Sequence, residues 1–177
     1  DDCEGYLITG SRHSVYEPIE WITRLGEFVV ELNAAKKKLV GICFGHQLVA
    51  HVLGGETSKS SKGWGVGRHE TTLSDPSRPQ WSSEFGLLSS HQDQVQSLPD
   101  EARVIAQSDF CPIAGMAIGD HIVTLQGHPE FTKAYARDLL GVRRELLGET
   151  LYQQGVDSLD EEVHQLSLIH ISEPTRR

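Results

Sequence analysis

The sequence contains no long apolar run and few basic residues. None of its stretches approaches the about 20 consecutive apolar residues that a membrane-spanning helix requires, so no membrane partner is expected. Its 16 Lys and Arg are outnumbered by 25 Asp and Glu, which gives a formal net charge of −9. Because nucleic-acid binding depends largely on Lys and Arg that neutralise phosphates, this acidic balance argues against a nucleic-acid partner.

Cysteines are also few. Cys3, Cys43 and Cys111 are odd in number and show no close pairing pattern, which is typical of a reducing compartment rather than of a disulfide framework. We therefore expect a cytoplasmic location. Low-complexity tracts are absent as well, and the length of 177 residues suits one folded domain.

The first third of the chain alternates between strand and helix patterns. Apolar runs at residues 5–9 and 39–43 have strand length, and a segment with helical periodicity follows each of them. The first predicted helix begins at about Pro18 and ends near Asn33, and the second spans residues 44–53. The predicted apolar face of the first helix consists of Trp21, Leu25, Phe28, Val29 and Leu32. This order predicts an α/β fold with a parallel sheet.

The pattern changes to short strands after residue 59. Strand candidates at residues 85–88, 104–106, 114–118 and 122–125 predict a small mixed β extension of the sheet. The Gly119-Asp120 pair predicts a hairpin turn between the last two of them. A final helix is predicted to follow Pro129 and to end near residue 147. Its predicted apolar face consists of Tyr135, Leu139, Val142 and Leu146.

The strongest local signal surrounds Cys43. Gly41 and Gly45 lie two positions away on either side, at the point where a predicted strand changes to a helix. A nucleophile on a sharp strand-to-helix turn needs such small neighbours, and a helix N-terminus favours the reactive thiolate. The alternative is a buried structural cysteine that glycines happen to flank.

His128 is the candidate base among nine histidines. It closely follows the predicted strand 122–125, and ligand sites of open α/β sheets collect at the carboxyl ends of strands. Glu130 lies two residues further on, after Pro129, and could orient the imidazole as the acid of a Cys-His-Glu triad. The alternative is a His-Pro-Glu loop with no catalytic role.

Four segments together resemble a known family. Residues 9–17, 41–47, 90–95 and 127–130 are similar to the oxyanion loop, nucleophile turn, His-x-Asp-x-Val segment and His-x-Glu segment of class I glutamine amidotransferases, including the glutaminase domain of GMP synthase. The resemblance implies a three-layer, flavodoxin-like α/β fold in which helices flank a mostly parallel open sheet. Independently of the resemblance, His46, His51 and His69 lack the paired spacing of a zinc site, and we expect no metal and no other cofactor.

The resemblance also implies a reaction. Cys43 would attack the carboxamide carbon of glutamine, release ammonia and form a glutamyl thioester that water then hydrolyses. His128 would transfer the protons, and Glu130 would orient its imidazole. The oxyanion would be held by the backbone N–H groups of Ser11 and Phe44. The implied contacts to substrate are Gly10, Gln47, His91 and Asp93.

One position departs from the family pattern. The oxyanion loop of the family usually reads Gly-Gly-Pro, whereas this chain has Gly10-Ser11-Arg12. Glycine is permissive for a peptide flip, but the N–H of Ser11 can donate equally well if its backbone angles are ordinary.

The resemblance also sets expectations about domain organisation. We expect residues 1–166 to form one amidotransferase-like domain that is incomplete at its N-terminus, and residues 167–177 to be a non-native or disordered tail. Two alternatives to glutamine hydrolysis remain open. One is a γ-glutamyl peptide hydrolase on the same scaffold, and the other is a non-catalytic regulatory subunit. The expected partners are glutamine or a γ-glutamyl compound and a synthetase or acceptor protein.

Overall fold

The computed structural model describes residues 3–160, and for residues 78 and 80–82 it describes the backbone alone. Within that range the chain forms a seven-stranded sheet, a separate two-stranded sheet and five helices. The strands are β1 (Gly5–Ile8), β2 (Lys38–Ile42), β3 (Glu56–Lys59), β4 (Gly65–Asp75), β5 (Arg78–His91), β6 (Asp93–Ser97), β7 (Ala102–Gln107), β8 (Gly115–Ile118) and β9 (Ile122–Leu125). The helices are α1 (Glu20–Ala34), α2 (Phe44–Val52), α3 (Lys133–Val142), α4 (Arg144–Leu147) and α5 (Glu149–Leu159). The predicted tail at residues 167–177 lies outside the described residues.

The large sheet has the strand order β1-β2-β9-β8-β7-β4-β5. β1 pairs in parallel with β2, and β2 with β9, whereas the other four pairings are antiparallel. The predicted α/β class is confirmed, and the antiparallel part is larger than the small extension that the sequence indicates. The reason is the hairpin of β4 and β5, which are 11 and 14 residues long. β3 and β6 form the second sheet.

The predicted hairpin between β8 and β9 is confirmed. Its turn spans residues 119–121, and Gly119 has a φ of 50°, a conformation that glycine adopts without strain. The hairpin brings β9 into parallel register with β2, so that Ile42 and Leu125 are paired. Because the carboxyl ends of parallel strands meet at one edge of a sheet, the segments that follow β2 and β9 lie side by side.

Helix α1 covers one face of the sheet together with α2. It buries Ile22, Gly26, Val29 and Leu32, whose spacing gives one apolar face. The prediction is wrong for Trp21, which is 42% exposed. Its ring packs against that of Phe44 at a centroid distance of 5.5 Å instead of facing the sheet. No helix within residues 3–160 has the length and the apolar character needed to cross a membrane.

The predicted single helix from Pro129 to about residue 147 is wrong, because the chain forms two helices there, α3 and α4, which are followed by α5. Gly148 has a φ of 74° and separates α4 from α5. The buried residues of α3 are Ala136 and Leu140, and Leu140 packs close to Gly155 of α5. This contact turns the predicted apolar face outward. Its members Tyr135, Val142 and Leu146 are exposed.

Helix α2 approaches β1 and β2 at backbone contact. A Cβ atom added at Gly45 would collide with the carbonyl oxygen of Ile8 in β1. A Cβ atom at Gly41 would lie 2.8 Å from the carbonyl oxygen of Gly45. These two glycines therefore allow the turn between β2 and α2 to pack directly on the neighbouring strand.

We expect Gly45→Ala to lower the melting temperature by about 5 °C or more, because the added methyl group must displace the backbone of β1. Gly141→Ala in α3 is the matched control, since its Cβ would meet no atom within 4 Å. The control should leave the melting temperature unchanged or slightly raised. Scanning fluorimetry of both variants measures this, and equal midpoints would contradict the close packing at Gly45.

Candidate active site

Cys43 lies between the end of β2 and the start of α2. Its backbone has a φ of 53° and a ψ of −99°, a region that residues with a side chain rarely occupy. Two hydrogen bonds fix this conformation. The N–H of Cys43 donates to Leu125 O at 2.9 Å, and its carbonyl accepts from Gln47 N at 3.1 Å. The thiol therefore lies at the N-terminus of α2, beside the first backbone N–H groups of that helix.

His128 and Glu130 lie beside this thiol. The N–H of His128 donates to Leu88 O of β5 at 2.7 Å, which fixes the backbone after β9. His128 Nδ1 lies 2.7 Å from Glu130 Oε1, and the His128 side chain is hydrogen-bonded to Cys43. Because a carboxylate only accepts hydrogen bonds, Nδ1 carries the proton of that bond and Nε2 faces the thiol.

The imidazole of His128 is packed between Phe131 and the loop that carries Gly10. The ring of Phe131 stacks on it with a centroid distance of 3.8 Å and an angle of 11°. Gly10 lies so close that an added Cβ would be 3.0 Å from His128 Cε1 and 3.7 Å from Cys43 Cβ. A side chain at position 10 would therefore crowd the contact between His128 and Cys43.

The charge of His128 is favoured by its neighbours. Burial alone lowers the pKa of His128, but the hydrogen bonds and the charges of Cys43 and Glu130 outweigh it and raise the pKa to about 9. The imidazole is consequently protonated at neutral pH, as a general acid must be before it donates a proton.

The two predicted oxyanion donors flank the nucleophile. Phe44 is the first residue of α2, so its N–H is among those that have no acceptor within the helix. Ser11 lies beside Cys43 in the lining of two surface clefts. Its hydroxyl oxygen accepts a hydrogen bond from His13 N at 3.2 Å. The hydroxyl of Ser11 thus stabilises the loop after β1, while its role as a backbone donor stays a prediction.

Asp93 connects the loop after β1 to helix α2. Its carboxylate accepts from the hydroxyl groups of Ser14 at 2.5 Å and Tyr16 at 3.2 Å. Its backbone oxygen accepts from Gln47 Nε2 at 2.8 Å and lies 3.1 Å from His91 Nδ1. The sequence predicts substrate contacts for Asp93, Gln47 and His91. All three line one cleft with Cys43, and their polar atoms also hold one another in place.

Two buried histidines support the site without carrying charge. His46, inside α2, lies 2.7 Å from Thr124 Oγ1 through Nδ1 and 3.1 Å from Ile113 O through Nε2. Burial lowers the pKa of His46 to about 4 and that of His91 to about 3. Both are therefore neutral, and His46 links α2 to β9 as a packing residue.

Two clefts meet at Cys43. A cleft of about 230 Å³ has a mostly polar lining that includes Ser14, Lys59, Gln92 and Asp93. A second cleft of about 220 Å³ lies on the side of His128. Its lining includes Glu130, Phe131, Tyr135, Leu139 and Arg143. Among the residues that the structure describes, no group of three His, Cys, Asp or Glu side chains is placed to hold a metal ion.

The sequence gives no direct indication of several lining residues. Arg143 borders both clefts from the junction of α3 and α4, where the sequence predicts an unbroken helix. Tyr135 and Leu139 are predicted as core and instead border the second cleft. For Phe131 the sequence does contain a signal, because this residue directly follows the His-Pro-Glu segment.

Comparisons with known proteins agree with this architecture. Residues 2–140 match the family model described as Glutamine amidotransferase class-I. Gamma-glutamyl peptidase 3 of Arabidopsis thaliana is 34% identical over 141 residues, which cover 75% of this chain and 57% of that protein. The glutamine-hydrolyzing GMP synthase of Thermomicrobium roseum is 29% identical over 170 residues, which cover 90% of this chain and 31% of that protein.

A solved structure shares the fold. The crystal structure of a glutamine amidotransferase from Methylobacillus flagellatus superimposes with a TM-score of 0.76 at 23% identity, covering 96% of this chain and 67% of that one. The chain spans little more than half the length of the Arabidopsis peptidase. With its family model matched over 139 of 177 residues, the chain belongs to the class I glutamine amidotransferases.

Proposed function

We propose that this protein hydrolyses the γ-carboxamide bond of glutamine or of a γ-glutamyl compound through a thioester on Cys43. The observation that carries the proposal is the chain of contacts from Cys43 to His128 and from His128 to Glu130. Acyl transfer by a cysteine uses this arrangement, in which the nucleophile is hydrogen-bonded to a base and a carboxylate orients that base.

The first half of the reaction forms the thioester. The Cys43 thiolate attacks the carboxamide carbon, and the carbonyl oxygen becomes an oxyanion held by the N–H groups of Ser11 and Phe44. His128 then donates the proton on Nε2 to the amide nitrogen. The C–N bond breaks, the amine leaves, and the C–S bond remains.

The second half of the reaction regenerates the thiolate of Cys43. A water molecule attacks the thioester carbon while the now neutral His128 accepts its proton. The C–S bond breaks, glutamate leaves, and the thiolate and the imidazolium are regenerated. Glu130 keeps the Nδ1 proton in place throughout, because its carboxylate accepts that hydrogen bond.

Asp93 is part of this proposal as a positioning residue. Its carboxylate holds Ser14 and Tyr16, three and five residues after Ser11, and its backbone oxygen holds Gln47 of α2. This connection fixes the loop that carries the Ser11 N–H relative to the helix that carries the Phe44 N–H. The predicted direct contact of Asp93 with substrate is compatible with it.

The relatives favour a second form of the same chemistry. Four Arabidopsis proteins named gamma-glutamyl peptidases are 32–34% identical to this chain, so a γ-glutamyl peptide is a candidate substrate beside glutamine. If glutamine is the substrate, a synthetase or acceptor protein would receive the ammonia. The non-catalytic alternative is disfavoured, because it does not account for the intact contacts around His128. The described cysteines are free thiols, which fits the predicted cytoplasmic location.

We expect Cys43→Ala to lower hydrolysis of glutamine and γ-glutamyl amides by at least about a thousandfold, because no nucleophile remains. Cys3→Ala is the matched control, since Cys3 is exposed, and it should keep full activity. A glutamine-like electrophile should label Cys43 and leave Cys3 and Cys111 unlabelled, which peptide mass mapping detects. Full activity of Cys43→Ala would refute the proposal.

The pH dependence should follow the charge of His128. The imidazolium is the proton donor below its pKa and is lost above it, so kcat/KM should fall as the pH rises through about 9. Glu130→Gln removes an anion that stabilises the imidazolium, so this alkaline limb should move to lower pH by about one unit. The exposed Glu145→Gln serves as control and should leave the limb in place. An unchanged limb in Glu130→Gln would show that Glu130 does not tune His128.

Ser14→Ala removes one of the two hydroxyl groups that hold Asp93. We expect kcat to fall by about tenfold with little change in KM, because the oxyanion loop loses a charge-assisted hydrogen bond. Ser77→Ala removes a comparable bond to Asp75, outside both clefts, and should not affect kcat. A rise in KM alone for Ser14→Ala would instead assign this loop to substrate binding.

A further inference from the structure

The second cleft lies where the leaving group must depart. This inference rests on the proposed function, in which His128 protonates the amide nitrogen. The leaving amine is therefore on the His128 side of Cys43 when the C–N bond breaks. The cleft of about 220 Å³ lined by His128 and Glu130 opens on that side. We call it the leaving-group cleft.

One part of the wall of the leaving-group cleft is apolar and consists of Phe131, Tyr135 and Leu139. Phe131 packs edge-on against Tyr135 at a centroid distance of 4.6 Å, and Leu139 follows one helical turn after Tyr135 on α3. Tyr135 is 52% exposed although it borders this cleft. Ammonia does not need such a wall, because it is about the size of a water molecule, which takes up about 30 Å³ in the liquid.

Arg143 adds a positive charge to the same cleft. Its Nη1 donates to the backbone oxygen of Ser90 at 3.2 Å and to the Ser90 hydroxyl at 2.5 Å. Its guanidinium also lies 5.4 Å from the centre of the Trp64 ring. These partners are neutral, and no carboxylate within residues 3–160 pairs with Arg143. Ser90 and Trp64 hold the guanidinium at the cleft, and the other N–H groups of Arg143 can still bind an anion.

We propose that the leaving-group cleft binds the amine product of a γ-glutamyl amide of an apolar amino acid. The apolar side chain packs against Phe131, Tyr135 and Leu139, and the free α-carboxylate binds Arg143. A substrate of this class, such as γ-glutamyl-phenylalanine, uses both the apolar wall and the charge. Free glutamine uses neither, because its leaving group is ammonia.

The bonds broken and formed are those of the proposed hydrolysis. The γ-amide C–N bond breaks as the C–S bond to Cys43 forms, and the nitrogen takes its proton from His128. The released product is then the free amino acid, which keeps its carboxylate on Arg143 until it departs. Water completes the reaction, and no other reactant is required.

The test compares three substrates with the purified protein: γ-glutamyl-phenylalanine, its α-carboxamide and glutamine. We expect kcat/KM for γ-glutamyl-phenylalanine to exceed that for glutamine by about a hundredfold or more, with the carboxamide in between. Burial of the aromatic ring accounts for the higher kcat/KM of the carboxamide relative to glutamine. The α-carboxylate charge accounts for the further increase from the carboxamide to γ-glutamyl-phenylalanine.

Two variants assign these effects to residues. Arg143→Gln should lower kcat/KM for γ-glutamyl-phenylalanine by about tenfold or more and leave the carboxamide and glutamine within about threefold. Tyr135→Ala should lower kcat/KM for both phenylalanine substrates and spare glutamine. Arg144→Gln and Val142→Ala are the matched controls, because Arg144 binds Glu149 and Val142 is 85% exposed, and neither lines the cleft.

The outcomes separate this inference from the proposed function. Equal kcat/KM values for glutamine and γ-glutamyl-phenylalanine would overturn the inference and leave the hydrolase intact. An equal loss on all three substrates in Arg143→Gln would also overturn it, by assigning Arg143 to the glutamyl group. Absence of hydrolysis of every substrate, with no labelling of Cys43, would overturn the proposed function itself.

Discussion

The site depends on how closely the turn after β2 packs against its neighbours. Gly41 and Gly45 leave no side chain between this turn and the adjoining strands, and Cys43 between them has a positive φ. A residue with a side chain remains in that conformation only when its surroundings hold it there. Here the hydrogen bond from Cys43 N to Leu125 O and the contact of Gly45 with β1 provide that constraint. The nucleophile is thereby held at a helix N-terminus, largely buried where the two clefts meet.

Buried polar contacts extend this constraint to the rest of the site. His46 joins α2 to β9, Gln47 joins α2 to Asp93 and Gln126, and Asp93 joins both to the loop after β1. The bonds of His46 and Gln47 are buried, so each unmet partner there would carry a desolvation cost of about 1–3 kcal/mol. The loops around Cys43 therefore depend on one another for their positions.

Local features of the sequence were enough to predict the turn at Cys43, the strand before it, the hairpin at Gly119 and the α/β class. Each of these depends on a few consecutive residues with specific backbone requirements. The orientation of α3 could not be predicted, because Leu140 packs inward only where α5 presents Gly155. The position of Arg143 and the connecting role of Asp93 depend on contacts between residues 50 to 80 positions apart, which no local pattern records.

The stacked pair of His128 and Phe131 links two tasks that are separate in many enzymes. One face of the Phe131 ring lies against the imidazole, and the same side chain forms part of the wall of the leaving-group cleft. Because the two rings are stacked, a leaving group that displaced Phe131 would also displace the imidazole that must protonate it. Leaving-group selectivity would then involve kcat as well as KM.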